Sequence, residues 1–243
     1  MNGARVAVVL GARNLGGAFV DHLAGTGWSC AAIARSEETA AAVKERGALG
    51  LVADASDPTS LGEALARVRE ELGPPALIVN SVSAARPPAD DSGFGGGPIG
   101  DATIAGFRGW AAAVAEQAFV FLSTGIRTLR EGGAGGTLIQ VTGGSARRAM
   151  PGRGIWSAGA QASRALTHAA AQEVRAEGIH VALLIVDATI ESPKTEAFTR
   201  DTPREALADM KLIAEAVEFL AGQQPRAYTH ELMLTPSGDT WVP

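Results

Sequence analysis

From Arg5 to Gly27 the chain reads RVAVVLGARNLGGAFVDHLAGTG, and no other stretch limits the fold so strongly. Val6 to Leu10 is an apolar run with the length of a buried strand, Gly11 to Gly16 is a tight turn, and Gly17 to Leu23 opens a helix. Glycine at 11 lets the chain leave the strand sharply. Glycine at 16 has no side chain, so a phosphate can approach the free backbone N–H groups and positive dipole end of the helix. Such a unit is expected to hold the pyrophosphate of a dinucleotide, an ordinary strand-to-helix connection being the alternative.

The alternation continues along the chain. Strands are expected at Ser29 to Ala34, Leu49 to Ala53 and Ala76 to Val79, with helices at Glu37 to Arg46 and Pro58 to Leu72 between them. The second helix carries Leu61, Leu65, Val68 and Leu72 at helical spacing. Strand and helix in strict alternation require a parallel sheet with right-handed crossovers, which places ligands at the carboxyl ends of the strands. Gly11, Arg35, Asp54 and Asn80 all fall at such ends. An acidic residue after the second strand would bind a ribose 2′-hydroxyl, whereas an arginine favours the 2′-phosphate of NADP. Arg35 stands there with Arg13 as a second cation, so NADP(H) is expected over NAD(H); solvated surface arginines are the alternative.

Bulk properties narrow the class further. At 243 residues the chain fits one α/β domain, and mean hydropathy of +0.10 without a membrane-length apolar run fits a soluble protein. No export signal precedes the first strand, and the single cysteine, Cys30, lies in an apolar run where a buried thiol is expected; a cytoplasmic setting follows. A net charge of −5 and no basic patch argue against nucleic acid and membrane surfaces, leaving small molecules as partners. No metal-ligand spacing involves His168 or His180.

Beyond the fourth strand, Ala84 to Gly100 (AARPPADDSGFGGGPIG) has no periodicity and reads as a mobile loop beside the substrate cleft, or as a surface insertion. Helices are expected at Thr103 to Glu131, within Pro151 to Glu177, and at Arg204 to Leu220. Strands are expected at Thr137 to Thr142, His180 to Asp187 and Glu231 to Leu234. The fold class is therefore α/β, a single-domain, Rossmann-like, doubly wound parallel sheet of about seven strands with helices on both faces, spanning residues 1–243.

Gly11-Ala-Arg-Asn-Leu-Gly16, Asp54 and Asn80-Ser-Val-Ser83 resemble the glycine turn, adenine-side Asp and Asn-Asn-Ala-Gly segment of the short-chain dehydrogenase/reductase family, and the resemblance covers essentially the whole chain. It implies a cofactor site formed by Gly11, Arg13, Asn14, Leu15, Gly16, Arg35, Asp54, Ala55, Asn80 and Ser81, with the loops 84–100 and 188–204 flanking a substrate cleft. The turn is one residue short of the family pattern and places Asn14 where the middle glycine usually sits; Asn tolerates left-handed backbone. The tail Gln224-Pro-Arg-Ala-Tyr-Thr-His-Glu-Leu232 is similar to a subgroup of that family, and a homodimer or homotetramer is implied.

The resemblance also shows what is missing. The family's reaction centre uses Ser, Tyr, Lys and Asn, in which a phenol with a lowered pKa exchanges the carbonyl proton while hydride passes to or from a nicotinamide. Here the Ser position is Gly143, the Tyr position Trp156, the Lys position Ala160, and the Asn position Glu116 with Gln117 one residue away. Tyr228 is the only tyrosine, so no local realignment restores the motif. Trp156 has one N–H donor and no proton to relay; it is a pocket wall or a packing or oligomer contact. Thr142 and Ser145 can donate to a carbonyl, while Asp187 is an acid or base, or else the cap of the next turn. The expected function is an NADP(H)-dependent oxidoreductase with an unorthodox proton path acting on a small organic substrate. The alternatives are a non-redox enzyme (dehydratase, isomerase or cyclase) and a catalytically inactive cofactor-binding partner.

Overall fold

The computed structural model describes residues 5–89 and 93–239. In chain order the elements are β1 (Val6–Leu10), α1 (Leu15–Gly25), β2 (Ser29–Ala34), α2 (Glu37–Glu45), β3 (Leu49–Val52), α3 (Pro58–Leu72), β4 (Pro75–Asn80), α4 (Ile104–Phe107) and α5 (Ala113–Gly132). There follow β5 (Gly136–Gly143), α6 (Gly154–Val174), β6 (Ile179–Val186), β7 (Thr189–Ile190), α7 (Glu196–Thr199), β8 (Leu207–Ala208), α8 (Met210–Ala221) and β9 (Glu231–Leu234). Seven strands form one parallel sheet in the order β3-β2-β1-β4-β5-β6-β9. The strand order reverses between β1 and β4, and the cleft opens at the carboxyl ends beside that switch point.

Each strand feeds two cores because successive side chains leave a strand on opposite faces. Val6, Val8 and Leu10 of β1 pack with Leu61, Leu65 and Val68 of α3 and Phe121 of α5. Ala7 and Val9 pack with Phe19 and Leu23 of α1 and Val217 and Leu220 of α8. A fully buried Leu, Val or Phe contributes about 1.5–3 kcal/mol, so the doubled core accounts for the run-like, non-alternating hydrophobicity of the strands. Cys30 is buried between β2 and α1, and burial, with Asp21 adding to it, pushes its thiol up to about 11.

Expected strand limits hold to within one residue, whereas three helices differ. The first helix starts at Leu15, so the turn spans only Gly11 to Asn14. The helix expected from Thr103 is broken by a π-helical turn at Arg108–Ala112, which presents Trp110 and receives the 84–87 segment through Arg86 N–H donating to Gly109 O at 2.8 Å. The helix expected from Arg204 starts only at Met210, where the Asp209 side chain accepts from Lys211 N. Residues ahead of it are used in a small parallel ribbon, β7 against β8, that ties down the segment after β6.

Gly11 and Gly16 make the first turn possible for different reasons. Gly11 is left-handed at φ +83°, whereas Gly16 lies so close to the strand end that a Cβ there would stand 2.0 Å from Gly11 O and 2.6 Å from Ser81 Oγ. Glycine at 16 is thus required by helix-to-strand packing, in addition to the phosphate approach expected of it. Asn14 has φ −103°, so no left-handed residue is needed there.

The far side of the sheet is closed by charge. Glu231 of β9 accepts from Arg147 Nη1 at 2.5 Å and Arg164 Nε at 2.6 Å, with His168 Nε2 at 3.0 Å in ion-pair range but outside hydrogen-bond geometry. Burial opposes the ionised form of Glu231, but the hydrogen bonds from Arg164 and Arg147 with the charges of Arg164 and His168 outweigh it and hold its carboxyl below the ordinary value. Because that native value is depressed, the contribution is present above the unfolded carboxylate range and is lost as pH falls through the native one. Glu231→Gln is expected to cost about 1 kcal/mol at pH 7 after allowance for solvent screening. In urea unfolding the deficit should shrink as pH falls below the ordinary carboxylate range. In the same assay Gly16→Ala is expected to lose about 1–3 kcal/mol by overpacking, at any pH.

Candidate active site

A cleft of about 1130 Å³ runs along the carboxyl ends of β1 to β6. One half is lined by the Gly11–Gly16 turn, Arg35 and Ser36 after β2, Asp54 and Ala55 after β3, and Ser81 after β4. α1 begins with Asn14 as its cap and no side-chain capping bond, and its first intrahelical bond is Ala18 N–H to Asn14 O at 3.1 Å. The N–H groups of Leu15, Gly16 and Gly17 therefore have no intrahelical acceptor and can serve a diphosphate. Arg13 and Arg35 are exposed and line the cleft with this cradle. The Asp54 carboxylate accepts from Ser56 N at 2.9 Å and lies 3.5 Å from Arg86 Nη2, which fixes its orientation.

Two expected cofactor contacts are structural. Asn80 is fully buried and absent from the cleft wall; its Nδ2 donates to Gln117 Oε1 and Gln140 Oε1, each at 2.8 Å, and its Oδ1 accepts from Val82 N. The Ser81 hydroxyl lines the cleft but donates to the carbonyls of Leu10 and Gly11 at 2.8 and 2.9 Å. Both fix the path of Ser81 to Ser83 along the cleft floor.

The other half is built from the ends of β5 and β6, the start of α6 and the two flanking loops. Trp156 lines this part, with its ring 5.8 Å from Trp110 and 5.5 Å from Phe94, and Phe94 5.2 Å from Trp110. The second half of the 84–100 loop, read as mobile, is thereby anchored, with Trp156 N–H also donating to Gly95 O at 3.4 Å; Asp90, Asp91 and Ser92 lie outside the described residues. Ala160, aligned by sequence with the family's lysine, is 1% exposed and packs with Leu183 and Ile185.

Asp187 is the carboxylate of this half closest to the β5 end. It is 9% exposed and lines the cleft, and its Oδ1 would be 1.8 Å from a Cβ on Gly144. Its Oδ2 makes no hydrogen bond among the described residues and lies 3.4 Å from Arg148 Nη2. Asp187 caps no helix, since the next one, α7, starts at Glu196. Gly143, Gly144 and Ser145 line the wall beside it, and Ser145 O accepts from Ser157 Oγ at 2.7 Å.

Other candidates stand elsewhere. Glu116 is exposed and outside the cleft wall, because one residue along a helix is a 100° turn; Gln117 faces the buried side and meets Asn80. Thr142 is half-buried and does not contribute to the wall. Tyr228 stacks on His180 at 4.2 Å, away from the cleft lining. Sequence reading missed Phe94, Arg148, Arg153, Lys194 and Phe198, all of which line the cleft. The available signals were an aromatic residue inside a glycine-rich loop and an Arg-Arg pair just past the fifth strand. Among the described residues no cluster of His, Cys, Asp or Glu could hold a metal, and no helix is long and apolar enough to cross a membrane.

Comparison with known proteins places this geometry. Among solved structures, an alcohol dehydrogenase from the archaeon Thermococcus sibiricus, complexed with 5-hydroxy-NADP, superposes with a TM-score of 0.75 at 23% identity, covering 99% of this chain and 100% of that one. The 3-ketoacyl-(acyl-carrier-protein) reductase from Brucella melitensis, complexed with NADH, gives 0.80 at 21% identity over 97% and 98%. A metagenomic short-chain oxidoreductase in complex with NADP gives 0.75 at 21% identity over 97% and 98%. No protein of curated function matches the sequence. The family model described as short chain dehydrogenase matches residues 5–201. With the seven-stranded parallel sheet, the glycine turn at its switch point and four-fifths of its length matched, the chain belongs to the short chain dehydrogenase family.

Proposed function

We propose that the protein is an NADP(H)-dependent oxidoreductase acting on a small organic substrate through a reaction centre that lacks the family's tyrosine and lysine. The observation that carries this reading is that Arg35 and Arg13 line the same cleft as the uncapped start of α1. The cradle fits a diphosphate, and two cations beside it fit one further phosphate on the ribose. Relatives of similar fold are complexed with NADP, 5-hydroxy-NADP and NADH, so the fold takes either coenzyme, and the choice rests on the residues after β2. When bound, NADPH supplies the hydride. Asp187, which lines this part of the cleft, is the carboxylate assigned to the proton step. Ser145 can hydrogen-bond a substrate carbonyl from the same part of the lining, and Trp156 with Phe94 gives that end an aromatic surface.

Ala160 favours a second reading. Apolar packing around it means that no change of rotamer restores an ammonium group, which suits non-redox chemistry or a cofactor-holding role without turnover.

Calorimetric titration with NADPH and NADH is expected to show tighter binding of NADPH. Arg35→Ala should weaken NADPH by about 1.5–3 kcal/mol and leave NADH within a few-fold; equal losses would show that Arg35 reads no 2′-phosphate. NADPH oxidation followed with 1-phenyl-1,2-propanedione should fall by about 10²- to 10⁴-fold in Asp187→Asn at unchanged NADPH affinity. Turnover that survives the substitution would remove Asp187 from the proton path, and NADPH binding without any hydride transfer would favour the second reading.

A further inference from the structure

Two large aromatic side chains are left in solvent at the mouth of the cleft, one from each flanking loop. Phe94 of the 84–100 loop is 58% exposed and Phe198 of the 188–204 loop is 68% exposed, and both line the same cavity. Phe94 also leans on Trp156 and Trp110, so its ring is braced by two indoles. Uncovered aromatic surface from two loops lining one cavity is what a flat apolar ligand would cover. The same region is cationic. The Arg153 guanidinium lies 5.3 Å from the centre of the Phe94 ring, and Lys194 and Arg148 complete the wall, with Arg148 fixed in direction by Asp187. These cations are separate from Arg13 and Arg35, which line the cleft with the glycine turn.

We infer that the substrate taken by this half of the cleft is a planar aromatic molecule bearing an anionic oxygen group. The inference deepens the oxidoreductase reading and rests on its assignment of the glycine-turn half to the coenzyme. The ring is held between Phe94, Trp156 and Phe198, and the anion is met by Arg153, Lys194 and Arg148. Arg153 performs both tasks, since a guanidinium stacked on one ring can extend the platform for a second while presenting its donors at the edge.

The test is calorimetric titration of the full chain with 2-naphthoate and with the uncharged isostere 2-naphthamide, each with and without saturating NADPH. The carboxylate is expected to bind at least tenfold more tightly than the amide. Phe198→Ala, a change at an exposed side chain, should weaken both about tenfold, and Arg153→Gln should weaken the carboxylate more than the amide, cutting the preference for the carboxylate several-fold. Equal binding of the two probes, or binding of neither in any condition, overturns the inference. The two readings fail separately. NADPH binding with no naphthoate binding sinks this one alone, whereas preferential naphthoate binding without NADPH binding sustains it and sinks the coenzyme assignment.

Discussion

The cleft depends on three amides buried beneath it. Asn80 ends β4 with no exposure to solvent, and its side chain joins Gln117 of α5 and Gln140 of β5, while Gln117 Nε2 reaches back to Ala55 O at 3.4 Å. Gln140 Nε2 donates in turn to Val141 O. Each amide lost to solvent is repaid by a partner, as a buried polar group must be. The consequence is geometric. Ends of β3, β4 and β5 and one face of α5 are locked to one another directly under the switch point, so the loops above start from fixed positions.

From that floor the two ends of the cleft diverge. Toward the glycine turn the backbone supplies the chemistry, through unpaired helix N–H groups and a close Gly16 to Gly11 contact. Toward β6 the side chains do, and there three small or aromatic residues pack in complementary ways. Glycine at 144 leaves the volume that the Asp187 carboxylate fills, alanine at 160 joins the packing of Leu183 and Ile185, and tryptophan at 156 joins a cluster with Phe94 and Trp110. Ala160 is enclosed by core and Trp156 is braced by its neighbours, so this end of the cleft is held by packing on both sides of α6.

Period and punctuation made the fold legible. Apolar runs bounded by glycine and capping residues located every strand of the main sheet to within one residue, because burial on both faces leaves an unbroken signal. Helix starts were less legible where tertiary pairing competes with local propensity, as at 204–208, which a helical pattern alone would have absorbed into α8. At the site, positions fixed by strand ends were readable, whereas side-chain direction was not. Sequence reading placed Asn80 and Glu116 in the site, but a buried amide partner withdraws the first and a 100° step on α5 turns the second to solvent. Phe198 carries no local signature, and the Arg-Arg pair past the fifth strand does not say which arginine turns to the wall; the ion pair of Arg148 with Asp187 does.

The charge of the cleft opposes that of the chain. Overall the protein carries −5, yet the described lining has Arg13, Arg35, Arg148, Arg153 and Lys194 against Asp54, Asp187 and Asp239. A concave surface with low-dielectric walls focuses such a field, while the acidic exterior repels the same ligands elsewhere. The field favours anions over the whole length of the cavity, with one group of cations at the turn and another by the aromatic wall. Spreading cations over both halves fits a site that brings two negatively charged molecules together, where each would otherwise oppose the approach of the other. Because Arg148 is held by Asp187, the positive end keeps its geometry without relying on either ligand, which lets orientation at the β5 and β6 ends be set by the fold.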